Sequence, residues 1–178
     1  RPIIDLAGQH HFNEMHFEEA VIPASQLLGT EGQGWAQVMS ELAFERSGPE
    51  RFLSSIELLN QLVGVLQGRQ SDAAQITLGR LTARLAVLRR LSRSVTSMLQ
   101  EEQDAGLQAS IVKDVGALFE QSIPDVAREL VDCEPDPVAA SGYAAVLANI
   151  VHNAPSWSLR GGTREILRGI IARGLGTR

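Results

Sequence analysis

The sequence is short of several things, and each shortage closes off a class of function. It has one cysteine, Cys133. No intrachain disulfide can form, which suits a reducing compartment, and a single Cys in an apolar helical pattern reads as a small core residue. Net positive charge is lacking: Lys plus Arg number 16 against 21 Asp plus Glu, a balance of −5. Neutralising phosphates takes clustered cations, so nucleic acid is not an expected partner. No apolar run reaches the roughly 18 residues of a membrane-spanning helix, and no basic-then-apolar leader opens the chain. A cytoplasmic protein without a membrane span is the expectation. His10, His11, His16 and His152 show no metal-ligand spacing, so no metal is expected. Repeats and low-complexity segments are missing, and so is an initiating methionine. The chain opens at Arg1 on residues that already read as strand, as expected of a stretch that begins within a longer protein.

What is present is an ordinary globular share of apolar residues, 44% of 178, enough to build a core without staples. Two regions differ in character. From Arg1 to about Gln26, short β-type runs alternate with turn residues: Pro2-Ile3-Ile4, then His11 to Phe17, then Ala20-Val21-Ile22-Pro23. Phe12 and Phe17 do not share one parity, so the alternation is imperfect. This is too little sheet to bury its own face, and it calls for partner strands. A glycine-rich turn, Gly29 to Gly34, ends the β region, and from Trp35 the periodicity is helical.

The pattern predicts a first helix over about Trp35–Gln67, bent at Gly48-Pro49. A second runs over about Asp72–Gln100, with Leu78, Leu81, Leu85, Leu88, Val95 and Leu99 on one stripe. Arg80, Arg84, Arg89, Arg90 and Arg93 lie mostly elsewhere, on a solvated or subunit-facing surface. A third spans roughly Leu107–Asp132 with a kink at Pro124, and Pro135-Asp136-Pro137 follows it. The fourth covers about Ala139–Asn153, and a short last helix runs from near Thr163 to Arg173. Long helices with brief connections indicate a mainly α chain, an antiparallel four-helix bundle preceded by a short β segment. The expected division is 1–28 and 29–178.

Several stretches resemble the acyl-CoA dehydrogenase family. His11-Phe12-Asn13-Glu14-Met15-His16-Phe17-Glu18-Glu19-Ala20-Val21-Ile22-Pro23-Ala24 is similar to the strand and turn that close its middle β-domain. Leu28-Gly29-Thr30-Glu31-Gly32-Gln33-Gly34-Trp35 resembles the link into its first long C-terminal helix. Leu42-Ala43-Phe44-Glu45-Arg46-Ser47-Gly48 is similar to that helix in many bacterial members. Gly161-Gly162-Thr163-Arg164-Glu165-Ile166-Leu167-Arg168-Gly169-Ile170-Ile171-Ala172-Arg173 resembles the terminal motif. These stretches come in family order and cover the chain from end to end.

The resemblance implies the C-terminal part of an FAD-dependent enzyme that oxidises an acyl-CoA thioester to its 2,3-enoyl form. A carboxylate takes the α-proton while the β-hydrogen leaves as hydride to the flavin. In many members the base is a Glu immediately before the Gly-Thr of the terminal motif; here that position is Gly161. A minority carries the base on the first long helix, at the place of Glu45. The resemblance therefore assigns Glu45 as the base and the Gly161 main-chain N–H as donor to the thioester oxygen, where enolate charge develops. It adds flavin contacts for Thr163 and Glu165 and places Arg46 and Arg173 near the CoA chain. As bare residues, Thr163 is a good helix N-cap, Glu45-Arg46 is a charged pair on a helix, and Trp157 is a packing residue.

Two family signatures are replaced. An Arg-x-Phe-Gly turn is expected after the first helix, where Gly68-Arg69-Gln70-Ser71-Asp72 stands. Gln-x-x-Gly-Gly is expected before the fourth, where the chain has Glu134-Pro135-Asp136-Pro137-Val138-Ala139-Ala140. Both reach a neighbour's flavin in the family, and their loss resembles a bacterial branch of unlike subunits acting on bulky acyl groups, fatty or steroid side chains. The implied partners are acyl-CoA, an electron-transfer flavoprotein or similar acceptor, and related subunits in a homo- or hetero-oligomer. The isolated segment is expected to be inactive. The alternatives are a non-catalytic partner subunit and an assembly-only helical bundle.

Overall fold

A computed structural model describes residues 1–68 and 71–177. Arg69 and Gln70, within the replaced Gly68–Asp72 turn, lie outside the described residues. The fold is mainly helical, with one two-stranded antiparallel sheet, β1 (Pro2–Ile4) and β2 (His10–Asn13). Pairing runs Pro2 to Asn13 and Ile3 to Phe12, then slips at Ile4, which faces His10. The expected strand over His11–Phe17 thus stops at Asn13, and Ala20–Pro23 is not a strand. Residues 14–17 and 20–23 have no partner strand among the described residues to pair their backbone, and every residue of β1 and β2 is exposed.

Among the described residues six α-helices follow: α1 (Gly34–Ser47), α2 (Ile56–Leu66), α3 (Asp72–Gln100), α4 (Gly106–Leu130), α5 (Tyr143–Asn153) and α6 (Arg164–Gly174). The predicted first helix is broken rather than bent. Pro49 has no N–H and forces the residue before it out of the helical region, and Gly48 is extended at φ −63°, ψ 156°. A 3₁₀ turn at Pro49–Arg51 then starts the chain in a new direction toward α2. The fourth helix begins at Tyr143, four residues later than expected. Gly142, at φ +93°, breaks the pattern before it.

α3 has the predicted boundaries. Ser71 caps it by accepting from the Ala74 N–H. Leu81, Leu88 and Val95 are buried, while Leu78, Leu85 and Leu99 pack against the core from its edge. The five α3 arginines are exposed.

α4 is the hub: every other helix packs on it. Its inner face is mostly small or apolar, with Ala109, Val112, Gly116, Phe119, Ile123 and Ala127, but it also buries Lys113 and Glu120. Pro124 sits inside α4 without ending it. Proline cannot donate to the carbonyl four residues back, so the Glu120 carbonyl is left free, and the Ser55 hydroxyl donates to it at 2.9 Å. Gly116 allows the 51–52 turn to touch the helix; a Cβ there would collide with the Arg51 carbonyl oxygen. Among the described residues, no helix is long and apolar enough to cross a membrane.

Gly116→Ala is expected to destabilise the fold. Alanine gains about 1 kcal/mol in helix propensity, but crowding a packed interior against main chain costs about 1–3 kcal/mol. Denaturant unfolding should show a lower midpoint, and an unchanged or raised midpoint would mean that the 51–52 turn yields freely.

Candidate active site

The last turn of α1 carries Glu45, Arg46 and Ser47. It is pinned to α3 by the Ser92 hydroxyl, which donates to the Ser47 carbonyl at 2.7 Å. Pro49 stands four residues after Glu45, so the Glu45 carbonyl has no helical donor. Arg51 supplies one. Its Nε donates to the Glu45 carbonyl at 2.8 Å, and its Nη2 pairs with Glu45 Oε1 at 2.6 Å. Arg51 is the more buried partner, with a side chain 11% exposed against 37% for Glu45. Glu45 Oε2 has no hydrogen-bond donor among the described residues.

Across from this turn lies the Gly161-Gly162 pair, at φ +65° and +108°. Both values fall in the left-handed region that glycine enters without a Cβ penalty. A Cβ built on Gly161 would lie 3.4 Å from both carboxylate oxygens of Glu45 and from Arg46 Cγ. The two positions singled out from sequence, Glu45 and Gly161, therefore face each other across the space of a single side-chain carbon. Arg46 closes the gap by donating from Nε to the Gly161 carbonyl at 2.8 Å. It is buried; burial lowers its pKa from the ordinary value, and Glu45 pulls the other way.

α6 starts directly after the glycine pair. Thr163 caps it, accepting from the Ile166 N–H at 3.4 Å. The Glu165 carboxyl is held below its ordinary pKa by its own main-chain N–H and by the Thr163 hydroxyl. Arg164 Nε donates to Asp114 at 2.8 Å, which ties α6 to α4. Arg173 is in the last turn of α6, exposed and away from the Glu45–Gly161 contact. Thus Glu45, Arg46 and Gly161 come together, Thr163 and Glu165 stand beside them, and Arg173 does not join the group.

Beneath the turn is a charged cluster that periodicity alone did not single out. Lys113 and Glu120 are fully buried. Glu120 Oε1 accepts from the Ser54 N–H at 2.8 Å, and Oε2 pairs with Arg160 Nη2 at 2.7 Å. Arg160 Nη1 also donates to the Ser54 hydroxyl at 3.1 Å, and its guanidinium lies 5.7 Å from the Trp157 ring centroid. Lys113 Nζ donates to the Trp157 carbonyl at 2.7 Å. Burial raises the Glu120 pKa, opposed by Ser54 and then by Arg160 and Lys113. With a donor on each oxygen and two cations beside it, we hold Glu120 to be ionised at neutral pH. Burial, with Arg160 beside it, lowers Lys113 to about 8. A signal was available: Lys113 and Glu120 are seven residues apart, at core register in α4 between Val112 and Ile123. Their partners, however, lie 40 to 66 residues away.

Residues 32–176 match the family profile described as acyl-CoA dehydrogenase, C-terminal domain. The chain belongs to the acyl-CoA dehydrogenase family. It is similar to acyl-CoA dehydrogenase FadE34 of Mycobacterium tuberculosis, 26% identical over 98% of this chain and 24% of that protein. It is also similar to acyl-CoA dehydrogenase IpdE1 of the same organism, 27% identical over 97% of this chain and 45% of that one. Among solved structures, the Tcur3481-Tcur3483 steroid ACAD G363A variant shares the fold, with a TM-score of 0.82, 20% identity, and coverage of 100% of this chain and 49% of that one. The chain thus spans less than half the length of these relatives.

Acyl-CoA dehydrogenases typically bind FAD. The start of α6 fits one part of it. Thr163 and Glu165 offer a hydroxyl and a carboxylate on a helix N-terminus, and the two glycines leave the approach free of side chains, which suits a neutral, polar ring edge. The nearby cations Arg46, Arg160 and Arg164 are already engaged with Gly161, Glu120 and Asp114, so none of these three is free for a pyrophosphate.

Lys113 has a stability signature. Its folded pKa of about 8 lies below the ordinary 10.5, so its contribution is fully present above the unfolded value and is lost as pH falls through about 8. The melting temperature of the wild type relative to Lys113→Met should therefore rise from pH 7 to pH 9.5. A difference that stays flat or shrinks over that range would show that Lys113 titrates normally.

Proposed function

We propose that this chain is the base-carrying C-terminal part of an FAD-dependent acyl-CoA dehydrogenase that forms a 2,3-enoyl-CoA. Residues 1–28 are the closing strands of a middle β-domain, and 29–178 are the helical domain. The observation that carries the reading is the contact of the Glu45 carboxylate with the space before Gly161. The family's two base positions meet at one point, and only one of them bears a carboxylate.

In this reading the substrate α-carbon sits against Glu45. Oε2 takes the α-proton, while Arg51 holds Oε1 and balances the charge of the resting carboxylate. The thioester oxygen, where enolate charge builds up, accepts from the Gly161 N–H. Arg46 holds the next peptide, on the other side of the Gly161 Cα, through the Gly161 carbonyl. FAD, when bound, supplies the hydride acceptor, and Thr163 and Glu165 line its ring edge. Arg173, at the far end of α6, serves the CoA chain. Electrons pass on to an electron-transfer flavoprotein or similar acceptor.

The partner is a related, unlike subunit and the acyl group is bulky, with a steroid side chain as the first candidate. The similarity to the Tcur3481-Tcur3483 steroid ACAD supports this reading, as do the replaced flavin signatures. The alternative, a non-catalytic partner subunit, is favoured by one observation: Glu45 is already paired with a well-buried arginine, as a purely structural carboxylate would be.

Glu45→Gln in the full-length protein, purified with its partner subunit, decides between them. Glutamine keeps the size but cannot take a proton, and loss of a positioned base costs about two to four orders of magnitude. Flavin bleaching by saturating acyl-CoA in anaerobic single turnover should slow by that factor, with FAD content unchanged. Bleaching at the wild-type rate would move the assignment to the partner-subunit reading. Adding Gly161→Glu should restore a small part of the rate, limited by the strain of a side chain at φ +65°.

A further inference from the structure

The Gly161 N–H belongs to the peptide unit that Arg160 begins. Two successive glycines in the left-handed region have little steric barrier to hold that peptide at one angle, so its direction depends on neighbours. On one side, Arg46 holds the Gly161 carbonyl. On the other, the Arg160 side chain is fixed by Glu120 and Ser54 and lies over the ring of Trp157, whose carbonyl is held by Lys113. Burying Glu120 and Lys113 is costly, and well-packed apolar residues of similar size often serve stability as well or better. Arg160 adds to the cost, because its Nε is buried without a partner. These charges are spent at one place, on the turn from Trp157 to Gly161.

We propose that Arg160 and Lys113, assembled on Glu120, are positioning residues that fix the direction of the Gly161 N–H toward the thioester oxygen. The proposal rests on the function proposed above and deepens it. Both residues act through the turn and touch no reacting atom. Arg160 sets the plane of the 160–161 peptide, and Lys113 sets the height of the turn above α4. Losing either leaves the glycine pair free to rotate, so the thioester meets a misdirected donor while Glu45 keeps its place on α1.

The test uses the full-length protein with its partner subunit and FAD, and 2-octenoyl-CoA carrying ¹³C at the thioester carbon. Difference infrared spectroscopy reads the carbonyl stretch of the bound thioester, which moves to lower frequency when a hydrogen bond polarises it. In the wild type and in Glu45→Gln the bound band should be clearly downshifted. In Arg160→Met and Lys113→Met at least half of that downshift should be lost. With the best acyl-CoA substrate, kcat should fall about tenfold, as misplacement costs rate, while KM changes less than threefold. Arg160→Lys should recover part of both effects, and Glu120→Gln, which keeps the shape of the network, guards against a variant that does not fold. A full downshift in Arg160→Met and Lys113→Met, with only a lower melting temperature, would make the network structural and overturn the proposal. Absence of a downshift in the wild type would overturn it too, since there would be no donor to direct. A Glu45→Gln enzyme with normal turnover would remove the base assignment alone, because the carbonyl band still judges Arg160 and Lys113.

Discussion

Two helical glutamates are each followed, four residues on, by a proline: Glu45 by Pro49 and Glu120 by Pro124. In each case the proline leaves the glutamate's own carbonyl without its helical N–H. The short segment between α1 and α2 answers both, with Arg51 on Glu45 and Ser55 on Glu120. The same segment also takes the two side chains, Arg51 holding the Glu45 carboxylate and Ser54 the Glu120 carboxylate. Residues 51–55 are thereby indexed to α1 and to α4 at once, by main chain and side chain. The relative placement of Glu45 and the 157–161 turn follows from that double attachment. Buried backbone groups must find partners, and here meeting that requirement assembles the site.

Elements with a local cause were legible in the sequence. The apolar stripe of α3 predicted its ends, and the terminal motif placed α6 within a residue at each end. Pro124 was legible as a position but not in its effect, because α4 runs through it once Ser55 supplies a donor from outside. The break at Pro49 was read as a bend for the converse reason: the pattern continues on both sides, and the Arg51 contacts that favour a full turn depend on the fold. The N-terminal strands were overextended, since alternation was read as pairing where the described residues offer no partner.

The meeting of Glu45 and Gly161 could be expected only through family resemblance, since no local pattern relates residues so far apart. The Lys113–Glu120–Arg160 cluster shows the same limit. Core register hints that Lys113 and Glu120 are buried, but only the fold reveals that they gather with Arg160 beside one turn. α1 gives the opposite lesson. Trp35, Val38, Met39 and Phe44 are exposed, along with Met15, Phe17, Val21 and Leu28 before it. These apolar side chains have no packing partner among the described residues.

The hydrogen bond from Arg46 to Gly161 bridges 115 residues, and that distance has a meaning during translation. A nascent chain that has emerged as far as α5 already possesses the α3–α4 hairpin and the glutamate on α1. It has nothing yet to set that glutamate against, because the glycine turn and α6 come last. Contacts between distant segments also bear the largest loop-closure cost and form slowly. Ribosome-bound intermediates and chains that stop before the glycine turn therefore lack the Glu45–Gly161 approach, however much helix they have already formed.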